Sequence, residues 1–109
     1  MVDAGRSWGA GGPCDLCGES WGREMHEIIS RGRTLHNEAA REASYDKHIC
    51  SILCSSCHTG LNLAESHEAD LLAFNMGLYG REAVLAAIKV VADLLNTPLI
   101  LDIPEEGTL

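Results

Sequence analysis

The sequence predicts a single small α+β domain that is held together by a bound metal ion and extended by a C-terminal helix. Two Cys-x-x-Cys pairs, Cys14/Cys17 and Cys54/Cys57, flank short β-branched segments, and such pairs can supply thiolates to one ion. An aliphatic stripe at helical spacing follows in the last third of the chain. The 109 residues suffice for one domain, whose small core would benefit from such a staple.

The composition limits the class of protein. Aromatic residues make up only 5% of the chain, which favours an aliphatic, largely helical core. The net charge is −8, and residues 63–109 hold two Lys or Arg against eight Asp or Glu. An acidic chain is not a general nucleic-acid binder. Any surface that contacts DNA must therefore be local, and the segment SRGRTLHNEAAR offers Arg31, Arg33 and Arg41.

The pattern of apolar residues indicates a reducing compartment. The first twelve residues, MVDAGRSWGAGG, contain no apolar signal-peptide core, and no run of ~18 apolar residues predicts a membrane span. We therefore expect a cytoplasmic protein whose cysteines bind metal rather than form disulfides. The order Cys-x-x-Cys-His at 54–58 is also typical of haem attachment, but that interpretation requires export and leaves the first pair unexplained.

Local patterns predict the order of the elements. Residues 1–12 are glycine-rich and are expected to be flexible, while REMHEIIS and HICSIL are short, strand-like segments. In REMHEIIS, strand alternation places Glu27 on one face and His26 on the other. The clearest element is GREAVLAAIKVVADLLN, a helix that begins after Gly80 and ends before Pro98. The apolar LILDIP that follows is expected to form a strand or a docking segment.

The two cysteine pairs predict one structural zinc site formed by four thiolates. Gly18 directly follows the first pair and suits the tight turn that such a site needs. The 36 residues between the pairs (18–53) exceed the spacing of a simple zinc ribbon, so further structure is inserted between them. Zinc binding contributes on the order of 10 kcal/mol to folding. The fifth cysteine, Cys50, is expected to be a buried reduced thiol or an alternative ligand.

Residues inside this staple resemble the HNH nuclease family, in its zinc-stapled, four-cysteine, phage-type branch. The match is carried by Cys14-Asp-Leu-Cys17, His26-Glu27-Ile28 and Leu53-Cys54-Ser-Ser-Cys57-His58, within residues 14–63. The resemblance implies a ββα-metal (His-Me finger) fold, in which two antiparallel strands, a loop and a helix enclose a divalent ion. It divides the chain into a flexible N-terminus (1–12), an HNH core (13–64) and a C-terminal helical extension (65–109) that packs on the core or on a partner.

The resemblance also implies a function, namely a metal-dependent endonuclease that nicks or cleaves DNA with Mg²⁺, Mn²⁺ or Ni²⁺. His26 and His58 would bracket the catalytic ion. If Ile28 anchors the comparison, His26 is a metal ligand and Glu27 is the general base. If the histidine itself anchors it, His26 is the base and Glu24 or Glu27 assists the metal. Arg31, Arg33 and Arg41 are the candidate DNA contacts, and a phage-encoded chain would act in the host cytoplasm.

One family residue has no direct counterpart in this chain. The family often places an asparagine about five residues before the second cysteine pair, and that position is Ile49. Asn37 in the loop is a weak candidate for the orienting role, and Asn62, four residues after His58, is a second candidate. This gap concerns activity more than fold.

The missing asparagine and the acidic charge support an alternative function. The chain could be a catalytically degenerate, zinc-binding HNH-like module that acts as a protein–protein adaptor. The aliphatic stripe at residues 84–95 would then contact a partner or a second copy of the chain, rather than only the core. A third possibility is a nucleic-acid binder without chemistry, whose binding would depend on salt. Metal stoichiometry separates the first two hypotheses, because a nuclease needs a second, weaker divalent site.

Overall fold

The computed structural model describes residues 2–3, 6–7, 11–60 and 67–104. Within these ranges, short strands form antiparallel pairs in the first half of the chain and the two longest helices lie in the second half. The strands are β1 (Val2–Asp3), β2 (Arg6–Ser7), β3 (Gly12–Pro13), β4 (Trp21–Gly22), β5 (Glu24–Glu27) and β6 (Cys50–Leu53), paired β1–β2, β3–β4 and β5–β6. The helices are α1 (Glu38–Ala43), α2 (Glu68–Tyr79) and α3 (Arg81–Leu95). The predicted α+β class is confirmed.

The pair β5–β6 is the longest of the three and positions the residues of interest. His26 lies opposite Ser51, and Glu27 lies opposite Cys50. The Ile28 amide donates to the Ile49 carbonyl at 3.0 Å and continues the ladder. The chain then leaves β6 and enters a π-helical turn at Ser56–Gly60. The order along the chain is therefore strand, long connection, strand and helical turn.

The connection between β5 and β6 holds more structure than the sequence predicted. It contains 3₁₀ turns at Arg31–Thr34 and Lys47–Ile49 as well as α1. Asn37 caps the N-terminus of α1 by accepting a hydrogen bond from the Ala40 amide at 2.9 Å. The long spacing between the cysteine pairs is thus filled by compact structure.

The first cysteine turn rests directly on β6. The Asp15 amide donates to the Ile52 carbonyl at 2.8 Å, and the Ile52 amide donates to the Asp15 carboxylate at 3.0 Å. Strand β4 also approaches β6 closely, because a Cβ on Gly22 would lie 2.8 Å from the backbone carbon of Leu53. Only glycine fits this position without displacing the backbone. These contacts join segments that are far apart in sequence.

The second half differs from the prediction of a single C-terminal helix. The chain forms two helices, α2 and α3, which are separated by Gly80 at φ +94°. The sequence marked α3 clearly because only one of its faces is apolar, whereas the apolar residues of α2 do not form such a stripe. The LILDIP segment contains no strand within its described residues. Its carbonyls instead accept hydrogen bonds from Arg33, at Ile100, and from Arg81, at Pro104.

One hydrophobic core joins the cysteine half to the helices. Its buried members include Ile29, Ile49 and Leu53 from the first half and Leu71 and Val84 from α2 and α3. Asn75 on α2 is fully buried and donates to the carbonyls of His48 and Cys50 at 3.0 and 2.9 Å. This side chain satisfies backbone acceptors at the start of β6. The helices therefore fix the strand that carries the second cysteine pair.

The two glycines that face each other across β3 and β4 should respond differently to substitution. Gly22→Ala should lower the free energy of unfolding by about 1–3 kcal/mol, because the new Cβ meets the Leu53 backbone. Gly12→Ala should change it by no more than about 0.5 kcal/mol, since no atom lies within 4 Å of the new Cβ. Urea unfolding of the metal-loaded proteins measures both values. Equal effects would show that β4 does not press on β6.

Candidate metal centre and adjoining histidine site

Four cysteine sulfurs converge at one point in the structure. Their Sγ atoms all lie within 4.8 Å of one another, and Cys17 Sγ is 3.9 Å from Cys54 Sγ. Two ligands on one ion at about 2.3 Å each would be separated by about 3.8 Å in a tetrahedral site. The four cysteines, namely Cys14, Cys17, Cys54 and Cys57, are therefore positioned to bind a metal ion such as zinc.

Each cysteine pair is shaped by local hydrogen bonds. In the first turn, the Gly18 amide donates to the Cys14 carbonyl at 2.9 Å, and Gly18 adopts φ +67°, which favours glycine. In the second turn, the His58 amide donates to the Cys54 carbonyl at 3.0 Å. Both turns bring a Cys-x-x-Cys pair to one side of the backbone. This local geometry is the reason that the spacing alone identified the ligands.

The electrostatics of the cluster also suit a cation. Backbone amides of Ser20 and Glu19 lower the pKa of Cys17 to about 6. Burial, followed by the neighbouring thiols, raises the pKa of Cys57 to about 12. Four thiols at this distance resist simultaneous ionisation, and a divalent cation removes that repulsion. The donor set is soft and four-coordinate, as structural zinc sites require.

Cys50 lies outside this cluster. It is fully buried at the start of β6, and its Sγ donates to the Ser44 carbonyl at 3.5 Å. Of the two alternatives that the sequence left open for Cys50, the structure places it as a buried thiol rather than with the converging sulfurs.

Two histidines meet beside the metal centre. His26 on β5 and His58 on the π-helical turn have ring centroids 5.2 Å apart and are arranged edge to face. His58 follows the ligand Cys57 directly, so the fold of the cysteine turn sets its position. His58 Nδ1 lies 2.8 Å from Oε1 of Glu24, and both side chains are only partly exposed. The structure thus brings Glu24, His26 and His58 together, although the connection between the strands is long.

The environment keeps His26 neutral. Burial and, to a smaller extent, the charge of His58 lower the pKa of His26 to about 4. A neutral imidazole offers a lone pair to a proton or to a metal ion at neutral pH. Among the described residues, however, the four cysteines are the only group of three or more such side chains that converges as a ready metal cluster. The donor atoms around the histidine pair therefore do not converge as closely as the four cysteine sulfurs do.

Glu27 does not belong to this group. Successive residues of a strand point to opposite faces, so Glu24 and His26 share one face of β5 while Glu27 lies on the other. Glu24, which the sequence offered beside Glu27 as a residue that assists the metal, lies next to His58. Its spacing of two from His26 on a strand is the signal that could have identified it.

The described candidate for the missing asparagine, Asn37, lies in another part of the fold. Asn37 caps α1 and donates through Nδ2 to the Leu94 carbonyl at 2.9 Å, so both ends of its amide are engaged. Asn62 lies outside the described residues. Ile49, at the family position, is fully buried in the core, and its carbonyl belongs to the β5–β6 ladder. Of the two candidate asparagines, Asn37 is thus engaged at the end of α1 rather than at the histidine pair.

The arginines proposed to contact DNA have different surroundings. Arg33 donates to the Ile100 carbonyl at 3.0 Å, and Arg41 donates to the Tyr45 hydroxyl at 3.2 Å. Arg31 is exposed at the start of the first 3₁₀ turn. All three arginines belong to the connection between β5 and β6, which follows the strand that carries His26.

Comparison with known proteins gives no family for this chain. No family model matches it, and no curated protein or solved structure matches it either. The resemblance to the HNH family therefore rests on the sequence motifs of this chain alone and stays an expectation. Within the described ranges, no helix combines the length and apolar character that a membrane crossing requires.

Cys50 begins β6 and Cys54 directly follows it, and both are buried. They provide a matched pair for testing the metal centre. Cys54→Ser should abolish stoichiometric zinc binding and lower the melting temperature sharply, because it removes one of four ligands. Cys50→Ser should retain one zinc per chain, since Cys50 lies outside the cluster. Elemental analysis of the purified proteins and thermal unfolding measure both effects. Loss of zinc in Cys50→Ser with retention in Cys54→Ser would contradict the assignment.

Proposed function

We propose that this protein is an HNH-type, metal-dependent endonuclease that hydrolyses phosphodiester bonds in DNA. The observation that carries the proposal is the meeting of His26 and His58, with ring centroids 5.2 Å apart. One histidine lies on the first strand of an antiparallel pair and the other on the helical turn that follows the second strand. This order agrees with the ββα-metal fold that the sequence resemblance implies.

A structural zinc ion fits the four cysteines. It would be held by Cys14 and Cys17 from one turn and by Cys54 and Cys57 from the other. Its proposed role is to fix the start of the helical turn, and with it His58, against β5. The zinc takes no part in the chemistry, because four thiolates leave no open position on it.

The catalytic ion would lie at the histidine pair. Two donor atoms on one ion at about 2.1 Å and at right angles are separated by about 3 Å. The 2.8 Å between His58 Nδ1 and Glu24 Oε1 suits a hydrogen bond and also suits two ligands of one ion. When bound, the ion would stabilise the negative charge that develops on the phosphate and the leaving oxygen. His58 and Glu24 are the residues that we propose hold it.

His26 is the proposed general base. It is neutral at pH 7 and can accept the proton of an attacking water. A bound phosphodiester would place negative charge beside it and raise its pKa toward the neutral range, where a base works best. Glu27 is the less favourable candidate, because strand alternation places it on the opposite face of β5.

The charge distribution limits how DNA could be bound. The chain carries −8 overall, but six of its eight Lys and Arg lie in residues 1–62, which also contain the histidine pair. We propose that Arg31 and Arg33 contact phosphates near the site, with Arg41 further away on α1. Contacts to phosphate position the duplex without reading its sequence. A cytoplasmic location agrees with reduced, metal-bound thiols.

Conversion of supercoiled plasmid to nicked or linear DNA tests the proposed activity. The zinc-loaded protein, freed of weaker metals, should nick in the presence of Mg²⁺, Mn²⁺ or Ni²⁺. His58→Ala should reduce the rate by about 10²-fold or more, because it removes a side chain that we propose holds the catalytic ion. His36→Ala is the matched control, since His36 is exposed and lies in the turn before α1. A folded, zinc-loaded protein that nicks with none of the three ions would contradict the proposal.

The same assay distinguishes the two glutamates of β5. Glu24→Gln should lower the nicking rate by about 10- to 100-fold, because it removes a carboxylate that we propose holds the catalytic ion and contacts His58. Glu27→Gln should leave the rate within about threefold of the unsubstituted protein, as expected for the opposite face of the strand. The reverse result would return the base to Glu27.

Two observations favour the alternative of a zinc-binding adaptor. Ile49 fills the position of the family asparagine with a buried core residue. Val90 and Leu94 on α3 are 52% and 42% exposed and lie one helical turn apart, as a partner-binding face would. An adaptor would bind zinc alone, whereas the nuclease would also bind a second, weaker divalent ion.

A further inference from the structure

The four ligands of the metal centre differ in their access to solvent. Cys14, Cys54 and Cys57 are only 3%, 6% and 4% exposed, whereas Cys17 is exposed. A thiolate bound to zinc remains a nucleophile, and its reaction with a solute depends on access to the sulfur. An attacking molecule would therefore reach the centre through one ligand.

A pocket reaches the metal centre at Cys17 and Cys57, of which only Cys17 is exposed. It has a volume of about 290 Å³ and is lined by Asp15, Leu16, Cys17, Cys57, His67 and Asp70. His67 Nδ1 lies 2.7 Å from an oxygen of Asp70, so these two wall residues hold each other in place. The pocket is large enough for a small solute such as hydrogen peroxide, whose molecular volume is close to that of one or two waters.

A second cysteine sulfur lies close to the sulfur of Cys17. Cys54 Sγ lies 3.9 Å away, although the two residues are 37 positions apart in sequence. A thiol at this distance can attack a neighbouring oxidised sulfur after a small shift, since a disulfide joins two sulfurs at about 2.05 Å. The cross-link would then connect the two cysteine turns rather than close one of them.

We propose that Cys17 is a modification site at which small peroxides and other electrophiles attack the metal centre, with Cys54 as the resolving thiol. The Cys17 thiolate attacks the O–O bond of hydrogen peroxide, forming a sulfenic acid and releasing hydroxide. The Cys54 thiolate then attacks that sulfur, forming the Cys17–Cys54 disulfide and releasing a second hydroxide. Two thiolates lose two electrons in total, the peroxide gains them, and the metal ion is released with two of its ligands lost.

This inference concerns the cysteine centre alone and does not depend on nuclease activity. Oxidation would separate the metal from both turns, while the new disulfide would still join them. Because Cys57 lies within the helical turn Ser56–Gly60, the segment that carries His58 would lose its bond to the metal. Peroxide would thus act on the centre that positions the histidine pair.

The test uses zinc-loaded Cys50→Ser protein, in which only the four ligands remain as thiols. One equivalent of hydrogen peroxide should release zinc, measured with a chromogenic chelator, and dimedone should trap the sulfenic acid on Cys17. After acid quenching and blocking of residual thiols, trypsin separates Cys14 and Cys17, in fragment 7–23, from Cys54 and Cys57, in fragment 48–81. We expect the two fragments to be joined through Cys17 and Cys54. Initial oxidation at Cys14, Cys54 or Cys57, or a disulfide within one fragment, would overturn the proposal.

A second variant tests the role of access without removing the metal. Cys17→His keeps a common zinc ligand at the exposed position and cannot be oxidised by this route. Zinc release by peroxide should slow by at least about tenfold relative to Cys50→Ser alone. Release at an unchanged rate would show that another ligand is attacked first. If Cys17→His does not hold zinc, the site of the dimedone adduct decides the question.

Discussion

The convergence of four sulfurs within 4.8 Å is the constraint on which the rest of the structure depends. The two cysteine turns lie at the ends of a long connection, and the paired hydrogen bonds between Asp15 and Ile52 hold one turn on the strand that leads to the other. Zinc in such a centre contributes on the order of 10 kcal/mol, comparable with the whole stability of a small domain. The aliphatic core and this centre therefore act together, since Leu53 of the core is directly followed by the ligand Cys54.

The histidine pair is a consequence of that constraint. His58 is next to a ligand, and His26 lies on the strand that pairs with β6, so fixing the second turn also fixes the distance between the two rings. Glu24 completes the arrangement from the same face of β5, through its contact with His58. A single metal staple thus organises a second group of side chains that could do chemistry. In the same metal centre, Cys17 is exposed and is the position that we propose small electrophiles attack.

The sequence predicted the parts of the molecule that depend on local spacing. The Cys-x-x-Cys pairs were recognisable because the turn itself brings their sulfurs together, and α3 was recognisable because its apolar residues recur at helical spacing. The sequence did not predict α2 as a separate helix, because its apolar residues form no clear stripe. Glu27 was favoured because it is adjacent to His26 in the sequence. On a strand, however, residues two positions apart share a face, which places Glu24 with His26. The engagement of Asn37 with Leu94 joins residues 57 positions apart, which no local pattern encodes.

Selective broadening of NMR signals by Mn²⁺ tests whether the staple places His58 on a divalent ion with His26 beside that ion. The zinc-loaded protein, labelled with ¹⁵N at its five histidines, would be titrated with substoichiometric Mn²⁺ while the imidazole signals are recorded by NMR. We expect the signals of His26 and His58 to broaden first and together, while those of His36, His48 and His67 remain sharp until more Mn²⁺ is added. Broadening that begins at His67 or His48, or that affects all five histidines equally, would contradict it.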